Sequence, residues 1–149
     1  MEQLKNIREE HSLKQKDIAN ILGIKRSTYT SYEIERDTIP LTHLNKLCNY
    51  FDVSIDYVMG LNENRKYPNY QEAINKELLK KRLVELRKEN KLTQINIAKT
   101  LNISRSTWTG YEYGKYIMPT LILLGIAQKY HYSMDYLLGK IDEKNKYLP

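Results

Sequence analysis

The sequence has almost no cysteine and no long apolar stretch. Its single cysteine cannot form a disulfide within the chain. The longest run of only apolar residues and glycine is LILLGIA at 121–127, far short of the roughly 20 residues that a transmembrane helix needs. The opening residues, MEQLKNIREEHS, are polar and unlike a signal peptide. We therefore expect a cytoplasmic protein that needs neither disulfides nor a membrane.

The residue patterns of common catalytic and metal sites are also missing. The three histidines, His11, His43 and His131, are scattered, and no Cys/His spacing suits zinc. The six glycines form no phosphate-binding loop. We expect no enzyme activity, no metal and no cofactor. We also expect no small-molecule domain and no self-cleaving Ser-Lys pair.

An internal repeat organises the chain. The phrase KRSTYTSYE at 25–33 returns as SRSTWTGYE at 104–112, an offset of 79 residues. Residues 4–60 align without a gap on 83–139, with 21 identities in 57 pairs. A repeat of this size is near the lower limit for an independent core. The predicted organisation is a first domain at 1–61, a linker at 62–74, and a second domain at 75–149 with an extended first helix.

Each repeat is predicted to contain five short helices, which gives an all-α fold. Apolar residues recur at helical spacing, and no segment alternates with period two. Gly23 and Asn102 mark a tight left-handed turn after the second helix of each copy. A linker of about 14 residues could extend to about 46 Å. The apolar residues Ile74, Leu78 and Leu79 are expected either to pack the two domains together or to mediate a dimer.

The third helix of each repeat is predicted to have two different faces. In the first copy, Tyr29, Tyr32 and Glu33 fall together on one side. The opposite side is small and hydroxylated, and an arginine stands at the start of the helix. The outward residues are Arg26, Ser27, Thr30 and Ser31 in the first copy and Arg105, Ser106, Thr109 and Gly110 in the second. Small polar side chains allow close approach to base pairs, and arginine pairs bidentately with guanine in the major groove.

The ordered motifs LTQINIAKTLNISRSTWTGYEYGK and LKQKDIANILGIKRSTYTSYEIER, followed by MDYLLGK and IDYVMGL, resemble helix-turn-helix domains of the phage repressor and Cro type, the XRE family. The resemblance implies two tandem five-helix, lambda-repressor-like domains that bind double-stranded DNA. It implies DNA contacts by the start of the second helix and the outward residues of the third. The residues carried over are Gln15, Lys25, Arg26, Ser27, Thr28, Thr30, Ser31, Gln94, Ser104, Arg105, Ser106, Thr107 and Thr109.

The two copies differ from each other where the family has helix caps. Thr93 and Ser104 can cap the second and third helices of the second copy, whereas the first copy has Lys14 and Lys25. Loss of such a cap costs about 1 kcal/mol. These lysines are interpreted as phosphate contacts that trade stability for attraction. Gly110 offers no side chain to a base.

Charge is unevenly distributed along the chain. Residues 1–62 hold 8 basic and 9 acidic side chains, a net of −1, and residues 63–149 hold 16 and 9, a net of +7. Neutralising phosphates supplies most non-specific DNA affinity, so the second half is predicted to carry it. The alternative is that Lys76, Lys80, Lys81 and Arg82 form a solvated helix face that adds only solubility.

The leading hypothesis is a sequence-specific transcriptional regulator, more specifically a repressor. Two recognition segments suggest that the domains engage one duplex as a pseudo-dimer or within a homodimer. The alternative function is a protein-interaction module, antitoxin-like or inhibitory, on the same scaffold. An apolar outward face on the third helix would indicate that alternative, and both copies instead have basic and hydroxylated residues there.

Overall fold

The computed structural model describes residues 1–149 and contains ten helices and no strands. In chain order they are α1 (Glu2–Glu10), α2 (Gln15–Leu22), α3 (Arg26–Glu33), α4 (Leu41–Phe51), α5 (Ile55–Val58), α6 (Lys76–Glu89), α7 (Gln94–Thr100), α8 (Arg105–Glu112), α9 (Thr120–Tyr130) and α10 (Met134–Leu137). The all-α prediction of five helices in each repeat is confirmed.

The chain divides into two compact units, which we call the first unit (Met1–Tyr67) and the second unit (Pro68–Pro149). Every helix contributes at least one side chain to the core of its own unit. The members, each at most 1% exposed, are Leu4, Ile18, Tyr29, Leu44 and Ile55 in the first unit and their repeat equivalents Leu83, Ile97, Trp108, Leu123 and Met134 in the second. Burial of each such apolar side chain contributes about 1.5–3 kcal/mol. The predicted interior position of Tyr29 and Trp108 is confirmed.

Left-handed residues close the second helix of each unit. Gly23 ends α2 with φ 69°, and its amide donates to the carbonyl oxygen of Asn20. Asn102, just beyond α7, has φ 56°. Glycine and asparagine tolerate this conformation better than other residues, so the predicted turns form in both units. Each turn carries the chain into the helix that begins with the repeated arginine.

The N-termini of the corresponding helices are stabilised unequally. In the second unit, Thr93 Oγ1 accepts a hydrogen bond from Asn96 N, and Ser104 Oγ accepts one from Thr107 N, both at 3.1 Å. In the first unit, α3 begins after Lys25 without any side-chain cap. The caps predicted from the sequence therefore form in the second unit, and α3 lacks one.

The segment that follows α5 packs against the first unit instead of extending from it. Ser54 N donates to Arg65 O at 2.6 Å, and the Arg65 guanidinium donates to both carboxylate oxygens of Glu10. The buried Tyr67 hydroxyl donates to Asp56 Oδ2 at 2.7 Å. Because these contacts fix the chain as far as Tyr67, the expectation of a linker that extends freely over about 14 residues is wrong.

The segment before α6 packs in the same way on the second unit. The amides of Gln71 and Asn75 donate to carbonyl oxygens just after α10, and the Tyr70 hydroxyl donates to Asp135 Oδ1 at 2.6 Å. The Asn75 side chain caps α6, so this helix begins at the later of its two predicted starts. Leu79 is 8% exposed, and Leu78 packs beside Gly139 within the unit. These two leucines therefore serve the core of their own unit and are not part of an exposed ridge.

None of the helices combines the length and the apolar character needed to cross a membrane.

Candidate nucleic-acid interface

The turn between α2 and α3 brings predicted DNA-contact residues into one cleft of the first unit. Gln15, at the start of α2, and Arg26, at the start of α3, line this first cleft together with Lys14 and Lys16. Arg26 and both lysines are exposed. No carboxylate lines the cleft. The first cleft is therefore a basic surface at the N-terminal ends of two helices, where partial positive charge adds to the cationic side chains.

The second unit brings together more of the predicted residues. Its cleft runs along the outer face of α8, and it also has no carboxylate in its wall. The lining residues of this second cleft are Gln94, Arg105, Ser106, Thr109, Gly110, Tyr113, Lys115 and Tyr116. Four of them were predicted from the sequence as DNA contacts. The last three come from the segment after α8, which sequence reasoning did not include.

Other predicted residues lie beside these clefts without lining them. In the first unit, Lys25 and Ser27 are exposed and Thr28 is partly buried. In the second unit, Ser104 and Thr107 share a hydrogen bond between their hydroxyl groups at 2.8 Å. Ser104 also caps α8, so its side chain has a role within the fold.

Ser31 corrects the prediction for the outward face of α3. It is only 7% exposed, and its hydroxyl donates to the carbonyl oxygen of Ser27 at 3.0 Å. The repeat equivalent, Gly110, is also buried. The interpretation of Ser31 as an outward residue is therefore wrong, because this position of the helix turns toward the protein.

A buried carboxylate connects the helices that form the first cleft. Glu33 accepts hydrogen bonds from Arg8 Nε at 2.6 Å, from Gln15 Nε2 at 2.7 Å and from the Tyr29 hydroxyl at 2.8 Å. Burial raises the pKa of Glu33, but the hydrogen bonds from Arg8, Gln15 and Tyr29 outweigh it, so the net pKa is lowered. Thr30 Oγ1 then donates to Gln15 Oε1 at 2.7 Å. Gln15 is thus held in one orientation at both ends of its amide.

The second unit repeats the ion pair but releases the glutamine. Glu112 accepts from Arg87 Nε at 2.9 Å and Nη2 at 3.0 Å, and also from the indole N–H of Trp108. Gln94, the equivalent of Gln15, makes no side-chain hydrogen bond within its unit. The sequence predicted a basic partner for each glutamate but did not identify the arginine. The signal was available, because Arg8 and Arg87 are identical at equivalent positions.

The charge difference persists when it is counted by structural unit. The first unit holds 10 basic and 10 acidic side chains, a net of 0, and the second holds 14 and 8, a net of +6. Arg82 does not belong to a solvated face, as one interpretation had it. It is 8% exposed, and its guanidinium donates to the carbonyl oxygens of Tyr136 and Ile141. Arg105 and Lys115, by contrast, are exposed cations of the second cleft.

Comparison with known proteins gives a family match for each unit. Residues 4–58 match the helix-turn-helix family, and residues 80–143 match a second family described as a helix-turn-helix domain. The chain is 35% identical over 80 residues to the uncharacterized HTH-type transcriptional regulator YobD of Bacillus subtilis (strain 168), covering 54% of this chain and 70% of that protein. It is 37% identical over 65 residues to the uncharacterized HTH-type transcriptional regulator YqaE of the same organism, covering 44% and 56%. No solved structure matches the chain.

Proposed function

The chain belongs to the helix-turn-helix family of the XRE type, and we propose that it is a sequence-specific transcriptional regulator that binds double-stranded DNA. In this proposal α3 and α8 enter the major groove. Arg26 and Arg105, at the starts of these helices, read guanine. The observation that carries the proposal is the same in both units: a repeated arginine and a repeated glutamine, 79 residues apart, line a cleft without any carboxylate.

The neighbouring cations supply the part of the affinity that does not depend on base sequence. Lys14, Lys16 and Lys25 in the first unit and Lys115 in the second are exposed beside the helix starts. Side chains of this kind neutralise phosphates and release counterions. Because phosphate contacts also fix the orientation of a protein on the duplex, they position the two arginines for base contacts.

We propose repression as the regulatory outcome, because a protein that covers a duplex with two recognition surfaces blocks access to the DNA beneath it. The protein then acts in the cytoplasm, where the bacterial chromosome lies. Transcription from a template that carries the selected site, measured with and without the protein, tests this part. Repression predicts less transcript as the protein is added.

The DNA-binding proposal is tested by selection of bound duplexes from a random library. We expect the full chain to enrich one motif. Arg26→Ala and Arg105→Ala should each relax the preference at one or two positions, by about 1–3 kcal/mol if the contact is bidentate. The matched controls are Lys46→Ala on α4 and Lys129→Ala on α9, two exposed cations outside the clefts.

The selection has a result that contradicts the proposal. If both arginine variants fold normally and enrich the parent motif with unchanged preferences, these arginines are not base readers. If the parent enriches no motif, the rival function is favoured, in which the scaffold binds another protein. The exposed Tyr113, Ile117 and Leu121 would then be the first surface to examine, since they are 74%, 47% and 57% exposed.

A further inference from the structure

The ring of Tyr116 lies directly on the backbone of α8. A Cβ atom built on Gly110 would stand 2.2 Å from Tyr116 Cε2 and 2.8 Å from Cδ2, well inside van der Waals contact. The ring therefore occupies the space that any other residue at position 110 would fill. Gly110, which by itself offers no side chain to DNA, provides the seat for an aromatic ring that comes from the following loop.

The ring is held in place on its inner side and open on its outer side. It packs edge-to-face against Tyr111, with centroids 6.2 Å apart, and the Lys115 ammonium lies 5.5 Å from its centroid. Tyr116 is nevertheless 48% exposed, and it lines the second cleft beside Arg105 and Thr109. An apolar surface thus stands among the side chains proposed to contact bases.

The first unit has no counterpart of this arrangement. The residues 79 positions earlier are Ser31 and Asp37, so both members of the pair differ together. Ser31 already fills the seat with its own side chain, and Asp37 is an exposed carboxylate. A carboxylate offers no apolar surface and is repelled by DNA phosphates. The two recognition surfaces therefore differ most in chemistry at this pair of positions.

We propose that Tyr116 determines specificity in the second unit by contacting the methyl group of a thymine in the major groove. Apolar side chains recognise thymine through its C5 methyl group, which no other DNA base carries at that place. The inference rests on the proposed function, since it needs α8 to lie in the groove. It adds a base-reading residue outside the helix, and it assigns to the two units different base preferences.

The test compares parallel selections from a random duplex library by the full chain and its variants. Tyr116→Ala removes the ring. Gly110→Ser displaces it, and because the ring is the half-exposed end of a side chain, the fold can accommodate the change. Both variants are expected to lose a thymine preference at the same position and to keep the rest of the motif. Tyr116→Phe is expected to keep that preference, and Tyr50→Ala, which removes an exposed tyrosine on α4, serves as the control.

A second measurement isolates the methyl group. Replacing the selected thymine by deoxyuracil removes only the methyl, and we expect the parent to bind about 3- to 5-fold more weakly, the effect of one buried methyl group. Tyr116→Ala should bind the two duplexes equally. The proposal is overturned if Tyr116→Ala and Gly110→Ser, with parental far-ultraviolet circular dichroism, keep the thymine preference. If the parent enriches no motif at all, the proposed function itself fails and this assignment fails with it.

Discussion

The two units share one architecture and differ in what they present to solvent. Both bury an arginine–glutamate pair that ties the first helix to the third, and both end the second helix with a left-handed residue. The second unit has a cap on α8, an unrestrained Gln94 and a net charge of +6, whereas the first has an uncapped α3, a restrained Gln15 and no net charge. The comparison teaches that duplication kept the internal frame while the outward residues diverged.

The largest expected effect comes from breaking the buried pair. Glu33→Ala leaves Arg8 without its buried partner, and loss of one member of such a pair costs about 3–5 kcal/mol. Glu112→Ala should cost the first unit nothing and the second unit somewhat less than that, because Glu112 serves two donor residues, Arg87 and Trp108, where Glu33 serves three.

Denaturation by urea checks this difference. Far-ultraviolet circular dichroism follows the whole chain, and fluorescence of Trp108, the single tryptophan, follows the second unit. The controls are Glu63→Ala in the first unit and Glu77→Ala in the second, both exposed carboxylates. A loss below about 1 kcal/mol for both Glu33→Ala and Glu112→Ala would show that the carboxylates do not hold the frame.

A cap exchange should produce an intermediate effect of opposite sign in the two units. Lys25→Ser gives α3 the cap that Ser104 gives α8, so we expect the first unit to gain about 1 kcal/mol. Ser104→Ala should cost the second unit about as much. Lys25→Ser should also weaken binding to random duplex, because a phosphate contact is lost. Lys46→Ser, which removes an exposed lysine inside a helix, controls for charge; equal stability of Lys25→Ser and the parent would exclude the trade.

Acid should reveal a smaller difference. The pKa of Glu33 is lowered below its ordinary value of 4.5 in the folded protein. A lowered folded pKa contributes stability above the unfolded value, and that contribution is lost as the pH falls through the folded value. We expect the urea midpoint to decline as the pH is lowered from about 5. Glu33→Gln should lack this part of the decline, and an unchanged pH profile in that variant would contradict the assignment.

The sequence predicted what depends on local spacing and on the repeat. Ten helices, the turns at Gly23 and Asn102, and the caps of Thr93 and Ser104 follow from periodicity and from residue types with strong local preferences. The predicted residues of both clefts also come together, since the turn fixes the start of one helix beside the next. These features need only a few neighbouring residues to be decided.

What the sequence did not predict depends on contacts between distant residues. Arg8 meets Glu33 across 25 positions, and no local pattern selects it from the other basic residues. Ser31 lies at the edge of a helix face, where a small rotation decides between solvent and protein. Gly110 was taken as a gap because the ring that covers it comes from the next loop. Neither could be decided without the packing of neighbouring elements.

Protection of the selected duplex from hydroxyl radicals tests most directly whether both units read DNA. The account predicts two protected segments about 34 Å apart, the spacing of successive major grooves on one side of the duplex. Arg26→Ala should weaken protection of one segment and Arg105→Ala that of the other. Protection of a single major groove at saturation, abolished by Arg105→Ala and unchanged by Arg26→Ala, would contradict the account and leave the second unit as the only reader.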